Sequence, residues 1–359
     1  MRDLVLTSHS RGEPDGAVPL KPFALDPVCA TKPTTFSIDF ICEKSIYEYE
    51  FVAEASAYVS ESLHVIREGR RSQLFERHGR EFKFGRNLKG RNQTIEDLTR
   101  PNSLFLSAAA QNNHEELNLV SRFFRQLRIP PSGDLLPRFG SRTLATRGLS
   151  KSALNFLKTI DQSITDFVID EEPINDRYPA NSRIAFASRR DLSAQSSLFD
   201  IGDALPRNMR FRLGHLSNSG KPVYFDLRDE SAGTMLLLTT LDPVFRTLET
   251  GGTIVIDEFG SRVHTRASEA ILLLFNDKAT NPKGAQLIVA THDTNLMNIP
   301  GLRRDQVWFT EKDQGGATHL YPLTDYEVRK EDNLERGYLQ GRFGAIPFAG
   351  SLTNLFKVQ

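Results

Sequence analysis

Thr253-Ile254-Val255-Ile256-Asp257-Glu258 is the stretch that decides the fold: a short apolar run that ends in two carboxylates. A mostly β-branched run that follows the turn residues Gly251-Gly252 is typical of a buried strand in a parallel sheet. Open α/β sheets bind ligands at the carboxyl ends of such strands. Asp257 could there hold a hydrated Mg²⁺ and Glu258 could polarise a water, which suits nucleotide hydrolysis. The alternative is a strand that ends in two solvated acids.

Length and composition indicate a globular protein with room for two lobes. The chain has 359 residues, 39% of them hydrophobic and 25% charged, and its 45 basic residues balance its 45 acidic ones. This balance argues against a dedicated nucleic-acid binder, although it leaves a local basic patch open. We see no apolar run of membrane-spanning length and no signal peptide, and Cys29 and Cys42 lack metal-ligand spacing. We therefore expect a cytoplasmic protein with two reduced thiols.

The first two regions of the chain differ in their hydrophobic period. Residues 1–85 predict the remainder of an N-terminal lobe with antiparallel strands, because apolar and polar residues alternate over much of this region. Residues 86–206 predict a helical insertion followed by a polar linker. Within the insertion, one apolar stripe over Leu154–Val168 predicts a single helix, which Ser150 or Ser152 could cap.

The third region, residues 207–359, predicts a C-terminal α/β lobe because strands alternate with helical stripes. Its opening hairpin has a loop, Gly214–Lys221, that resembles a phosphate-binding loop. Five residues separate the glycines of this loop instead of four, and the loop precedes a strand instead of a helix, so we interpret it as a turn. Thr265 is the predicted cap of the helix after the acidic strand, and Leu287–Ala290 is the next predicted strand.

Three features of this lobe stand in a fixed order, and each has a reason to contact phosphate. Ser231-Ala232-Gly233 opens a helix, where a hydroxyl, free N–H groups and the helix dipole favour an anion. Asp257 and Glu258 end the following strand, and His292 ends the strand after that. The imidazole of His292 could donate to a γ-phosphate or bind the attacking water. Each feature alone is a weak signal, but the order and spacing of the three together are specific.

In this order the features resemble the motifs of ABC-type ATPases, the superfamily of SMC and OLD-type proteins. Residues 231–234 look like the signature motif, 253–258 like Walker B, 260–264 like the D-loop and 291–293 like the switch histidine. The chain bears a closer resemblance to the AAA-type, ABC-like ATPases of prokaryotic defence and abortive-infection operons. The tail Asn333–Pro347 contributes to that closer resemblance.

The resemblance implies an α/β fold: an ABC-type ATPase head with a P-loop NTPase-like parallel sheet, an antiparallel β lobe and a helical insertion. It implies ATP and Mg²⁺ as ligands, hydrolysis that drives a homodimerisation switch, and an operon-encoded toxin or nuclease as effector. By match to the family's motifs, the roles are catalysis for Glu258 and His292, Mg²⁺ binding for Asp257, and nucleotide binding for Ser231, Gly233, Ser261 and Gln111. Ser231 and Gly233 are expected to reach the nucleotide of the partner subunit. Gln111 is the candidate Q-loop glutamine, with an ordinary helix-surface glutamine as the alternative.

One motif of the family is missing, because no G-x-x-x-x-G-K-[S/T] occurs in residues 1–359. In the family this Walker A loop lies near the N-terminus, and residues 1–8 look like the end of the helix that follows it. We therefore expect the chain to start after the loop. Without the lysine and the Mg²⁺-binding hydroxyl of that loop, we expect weak ATP binding and little or no hydrolysis by this chain alone.

Two other functions stay open at this stage. The first is a non-hydrolysing pseudo-ATPase that holds a partner effector; the missing loop supports it, whereas the retained Asp257, Glu258 and His292 argue against it. The second is a nucleic-acid-processing enzyme. The sequence shows neither a nuclease metal cluster nor a basic-aromatic patch, so a nucleic-acid partner is unsupported, and no membrane partner is expected.

Overall fold

The computed structural model of the chain describes residues 1–130, 144–171, 209–329 and 332–346. The predicted polar linker, 171–206, lies outside these ranges except for its first residue, which ends a strand. The helices are α1 (Arg2–Arg11), α2 (Pro27–Thr31), α3 (Asn92–Leu98), α4 (Phe105–Gln111), α5 (Glu115–Gln126), α6 (Lys151–Ile160), α7 (Ala232–Thr250), α8 (Thr265–Asn276) and α9 (Leu334–Leu339). The strands are β1 (Thr34–Cys42), β2 (Ser45–Ala53), β3 (Tyr58–Arg67), β4 (Arg70–His78), β5 (Glu81–Phe84), β6 (Ile164–Glu171), β7 (Met209–Leu216), β8 (Pro222–Asp226), β9 (Thr253–Ile256), β10 (Gln286–Val289), β11 (Trp308–Lys312) and β12 (Thr318–Pro322).

An antiparallel meander, β1 to β5 in sequence order, forms the N-terminal sheet and confirms the predicted alternating strands. The inner face of this sheet is aromatic and packs against the helices α1, α4 and α5. Phe40 stacks on Phe123 with ring centroids 4.0 Å apart, and Phe75 meets Phe105 edge-on at 4.9 Å. These aromatic contacts place α4 and α5, which the sequence assigned to the insertion, in one hydrophobic core with the meander.

A fully buried ion pair joins this sheet to the N-terminus of α4. The Glu61 carboxylate accepts the N–H groups of Phe105 (2.6 Å) and Leu106 (3.0 Å) and the Tyr49 hydroxyl (2.9 Å). Burial raises the pKa of Glu61, whereas the charge of Arg77, 3.9 Å away, and these donors act to lower it. Glu61 therefore caps a helix from a neighbouring strand, with Arg77 neutralising its charge.

A buried histidine caps α5 and predicts a pH dependence of stability. Nδ1 of His114 accepts the N–H of Leu117 (3.2 Å) and Nε2 lies 2.9 Å from the Asn92 side-chain oxygen, an arrangement that needs a neutral ring. Burial holds the pKa of His114 below its ordinary value of 6.5. The stability that depends on the neutral ring is thus fully present above 6.5 and is lost as the pH falls through the lowered pKa.

His114→Asn should remove part of this pH dependence, because asparagine caps helices without titrating. We expect the variant to be less stable than wild type near neutral pH and the difference to shrink as pH falls from about 7 to about 5. Urea unfolding at several pH values measures this difference. Because burial also lowers the pKa of His9 and of His64, both proteins keep a residual acid sensitivity. Curves that run parallel over the whole range would contradict the interpretation.

The second lobe is built on parallel pairing between β9 and β10, in register from Thr253–Gln286 to Ile256–Val289. Arg128 forms a parallel bridge to β9 on its other side, with Arg128 N–H donating to the Thr253 carbonyl at 2.9 Å. The helices α7 and α8 supply apolar side chains to the core of this lobe. Among the described residues, no strand pairs with the second edge of β10, where Ile288 is 56% exposed.

The prediction of one helix over Leu154–Val168 is wrong. Ser150 does cap α6, since it accepts the Ala153 N–H at 3.2 Å, but that helix ends at Ile160. Asp161 then accepts the N–H of Ser163 at 2.9 Å, an Asx turn that competes with helical hydrogen bonding. The following residues form β6, which pairs with β7 in the three-stranded antiparallel sheet β6-β7-β8. The β-branched side chains of this segment favour a strand.

The β7–β8 hairpin confirms a turn, but one shorter than the predicted Gly214–Lys221: residues 214–216 pair with β8, and Ser217 N–H donates to the Lys221 carbonyl at 3.0 Å. A second hairpin, β11–β12, carries an aromatic cluster together with α9. The domain boundaries after residues 85 and 206 stay predictions. Within the described ranges, every helix is too short or too polar to cross a bilayer.

Candidate functional site

The loops that follow β9 and β10 are hydrogen-bonded to each other. Phe259 N–H donates to the Ala290 carbonyl at 2.8 Å, and the Thr291 hydroxyl donates to the Phe259 carbonyl at 2.7 Å. Buried Phe259 anchors the first loop in the core. Asp257 and Glu258 therefore lie at the same edge of the parallel sheet as His292, as expected for carboxyl ends of neighbouring parallel strands.

Glu258 has an unusual backbone conformation for a non-glycine residue, with φ +53°. The left-handed region costs a residue with a Cβ about 1–2 kcal/mol. The Glu258 backbone N–H donates to Oδ1 of Asp257 at 3.0 Å, which helps to hold the turn, and both side chains are exposed. Backbone strain of this kind clusters at functional sites, where surrounding structure holds a side chain in a fixed direction. The turn presents the Glu258 carboxylate to solvent at the strand end.

The start of α7 packs against the turn that follows Glu258. Ser231 caps the helix by accepting the Thr234 N–H at 3.0 Å. Gly233 lies so close to this turn that an added Cβ would stand 2.7 Å from the Arg262 carbonyl oxygen. A side chain at position 233 would therefore push the helix start away from the turn. The close approach explains the glycine and joins residues 231–234 to the acidic loop within one chain.

His215 and Glu230, to which the sequence analysis gave no role, form a contact that supports the start of α7. Nε2 of His215, on β7, lies 2.9 Å from the carboxylate of Glu230, the residue before the helix cap. Nδ1 of His215 lies 3.1 Å from the Ser163 hydroxyl, which itself donates to Asp161 at 2.7 Å. These contacts tie the three-stranded sheet to the start of α7. The only sequence signal was a histidine in a strand that otherwise alternates arginine with apolar residues.

The loop around His292 is tethered on both sides. Oδ2 of Asp293 accepts the Thr265 hydroxyl at 2.8 Å, and Oδ1 accepts the Asn295 N–H at 3.1 Å. Although partial burial acts to raise it, these hydrogen bonds hold the pKa of Asp293 below its ordinary value. His264, and not Thr265, caps α8 by accepting the Arg266 N–H. The prediction of the cap was therefore wrong by one residue, because the Thr265 hydroxyl is committed to the histidine loop.

The two remaining predicted site residues, Ser261 and Gln111, are both exposed. Ser261 is exposed in the turn after Glu258, whose carbonyl accepts the Ser261 N–H at 3.2 Å. Gln111 is exposed at the end of α4, and among the described residues no hydrogen bond links it to the loops of the second lobe.

The described residues contain no group of three or more His, Cys, Asp or Glu side chains arranged to hold a metal. Mg²⁺ in nucleotide sites needs only one or two carboxylates, because waters and phosphate oxygens complete its shell. Asp257 fits that role: it is exposed, and one of its oxygens is oriented by the Glu258 N–H.

A sequence model of the family described as "AAA domain, putative AbiEii toxin, Type IV TA system" matches residues 2–298. The match runs from α1 through the loops of β9 and β10 and covers more than half of the chain. No curated protein sequence matches the chain. AAA domains bind nucleotide, which agrees with the carboxylates, helix start and histidine gathered at the sheet edge. The chain therefore belongs to this family of AAA domains, which is associated with abortive-infection toxin–antitoxin systems.

Proposed function

We propose that the chain is an ATP-binding and ATP-hydrolysing subunit of ABC type, a nucleotide-driven dimerisation switch in phage defence. The observation that carries the proposal is the joining of the two strand-end loops through Phe259, which holds Asp257, Glu258 and His292 at one edge of the sheet. Family membership supports the nucleotide, and the toxin–antitoxin description supports a defence role with an effector partner, a toxin or nuclease.

Glu258 is the proposed general base of the reaction. Its carboxylate is exposed at the end of the strand, on a backbone turn with φ +53°, so it can accept a proton from a water that attacks the γ-phosphate. His292, on the joined loop, donates to the γ-phosphate or orients the same water. Asp257 would hold Mg²⁺. When bound, this ion neutralises charge that develops on the phosphate oxygens.

Nucleotide contacts across a homodimer are assigned to the start of α7. Ser231 and Gly233 are proposed to meet the phosphates bound by the partner subunit, because a helix N-terminus offers N–H groups and a favourable dipole to anions. Ser261 and Gln111 are proposed as further nucleotide contacts. The close packing of Gly233 on Arg262 couples this helix start to the Glu258 turn of its own chain.

A specific observation favours one alternative. Residues 1–359 contain no G-x-x-x-x-G-K-[S/T], and the lysine and hydroxyl of that loop normally grip the β- and γ-phosphates. The alternative is therefore a pseudo-ATPase that holds its effector without hydrolysis. Under the main proposal, the same observation predicts weak ATP binding and little or no turnover by this chain alone.

The dimer switch is tested by sedimentation velocity with and without millimolar MgATP. We expect MgATP to shift the wild-type chain toward a dimer and Gly233→Ala to abolish the shift, because its Cβ meets the Arg262 carbonyl. Gly315→Ala is the matched control, since its Cβ would contact only a side-chain oxygen of Asp313 at 3.3 Å. A wild-type chain that stays monomeric in saturating MgATP would reject the switch and favour the pseudo-ATPase.

A further inference from the structure

The C-terminal tail, residues 332–346, folds onto the β11–β12 hairpin as a compact aromatic unit. Phe343 is fully buried, and its carbonyl accepts hydroxyls from Tyr321 (2.9 Å) and Tyr326 (3.1 Å). Tyr338, on α9, donates to the Ala345 carbonyl at 2.8 Å and stacks on Phe309. The tail is therefore held by ring packing and by hydroxyls that satisfy its backbone.

Glycine explains part of the tail sequence. Gly344 has φ +67°, and a Cβ there would stand 2.8 Å from the Tyr321 hydroxyl oxygen. A Cβ at Gly337 would lie 3.0 Å from the Phe343 ring. The two glycines thus allow the chain to close tightly around Phe343, which gives the unit a single defined position against the hairpin.

A carboxylate of this unit contacts the segment that follows His292. Oε1 of Glu335 accepts the Thr294 hydroxyl at 2.9 Å, and Oε2 accepts the Asn298 side-chain amide at 3.1 Å. Thr294 and Asn298 are the first and last residues of the 3₁₀ segment Thr294–Asn298. One side chain therefore clamps both ends of this segment.

The same 3₁₀ segment connects two hydrophobic clusters. Leu296 and the following Ile299 are buried in the core of the parallel lobe, whereas Met297 packs against the aromatic cluster of the tail. The 3₁₀ segment therefore packs against both the core of the parallel lobe and the aromatic cluster of the tail. On its other side it begins at Asp293, which is bound to Thr265 at the start of α8. The tail is thus bonded to the segment that directly follows the histidine loop.

We propose that Glu335 is a positioning residue that sets the location of His292 by clamping the 3₁₀ segment from the C-terminal tail. Its effect on turnover rests on the proposed ATPase function, whereas its effect on loop order does not. Three tethers hold the histidine loop: Thr291 to Phe259, Asp293 to Thr265, and Glu335 to the residues beyond. Only the third comes from outside the residues that match the family.

The clamp is tested by amide hydrogen exchange on the full chain, read at peptides that cover 291–299. Glu335→Ala should raise exchange there by about tenfold, because two hydrogen bonds to a carboxylate are lost. Glu327→Ala is the matched control, an exposed acid of the same C-terminal region whose backbone carbonyl still accepts from Arg342. Asn298→Ala removes the bond to Glu335 and a longer one, 3.4 Å, to the side-chain oxygen of Asn333. It should raise exchange at the same peptides to a smaller extent, because the Thr294–Glu335 bond remains.

Unchanged exchange at 291–299 in both Glu335→Ala and Asn298→Ala overturns the clamp. If Glu335→Ala raises exchange throughout the chain, Asn298→Ala alone decides, and an effect confined to 291–299 supports the proposal. Any ATP turnover provides a separate readout: kcat should fall in Glu335→Ala with little change in KM, and Glu335→Gln, which keeps one acceptor oxygen, should recover part of it. If ATP turnover is the same in wild type and Glu258→Gln, the ATPase proposal is refuted. The hydrogen-exchange result for Glu335 is then unaffected.

Discussion

Glu258→Gln should abolish the weak ATP turnover that we expect of the wild-type chain at millimolar MgATP, because loss of a general base usually lowers a rate by about 10²- to 10⁴-fold. Glutamine keeps the size and hydrogen-bonding shape of the side chain but cannot take a proton from water. The side chain is exposed, so the variant should unfold at the wild-type temperature. Glu249→Gln, which changes an exposed acid at the end of α7, is the matched control and should keep the wild-type turnover.

Two outcomes would contradict the assignment of Glu258. Turnover that is equal in wild type and Glu258→Gln means that the hydrolysis comes from another residue or from a contaminant. Turnover that is absent from both, together with MgATP binding that depends on Asp257, favours the pseudo-ATPase. Asp257→Asn tests whether MgATP binding depends on Asp257. The substitution should lower the affinity for MgATP but leave the affinity for ATP in EDTA unchanged.

Glu61→Ala should destabilise the chain by about 3–5 kcal/mol, the usual effect of removing one partner of a buried ion pair. The substitution leaves the Arg77 charge uncompensated in the core and removes the acceptor from the N–H groups of Phe105 and Leu106. Urea unfolding followed by circular dichroism measures the loss, provided that the transition stays cooperative.

Glu50→Ala is the control for this prediction, because Glu50 is an exposed acid on the neighbouring strand β2. We expect it to change stability by no more than about 0.5 kcal/mol. Glu61→Gln should fall between the two, since its amide oxygen can still accept one helix N–H. A loss below about 1 kcal/mol for Glu61→Ala would mean that the pair is not a structural anchor.

The elements that the sequence predicted best are those with one dominant period. Alternation over 36–53 predicted strands β1 and β2, and the stripe ending at Gly251 predicted α7. The prediction failed at Ile164, where apolar spacing fits a helix and a strand alike. The local Asx turn at Asp161, together with pairing to β7, decided between them. Short apolar runs are ambiguous in this way whenever the deciding partner is distant in sequence.

The candidate site shows a similar division. Asp257 and His292 each follow a predicted strand of the α/β lobe, and this was enough to expect them at one sheet edge, because parallel strands carry their carboxyl ends together. Positions 61, 63 and 65 alternate inward on β3, so period alone would place Glu61 inside. Its partners could not be predicted, because Arg77 and the start of α4 reach it only through the tertiary fold. The roles of the individual site residues stay predictions until the substitutions are measured.

Within the part of the chain that the structure describes, the second edge of β10 has no partner strand, and this has a practical consequence for handling the protein. In a parallel ladder alternate residues point their peptide groups to one neighbour, so those of Leu287 and Val289 face away from β9. Such an edge, beside exposed Ile288, is a template on which any extended segment can add itself as another strand. Aggregation through this edge depends on the protein concentration and does not require nucleotide. A dimer that forms without MgATP therefore indicates pairing through the edge of β10, whereas a dimer that requires MgATP indicates the nucleotide-driven switch.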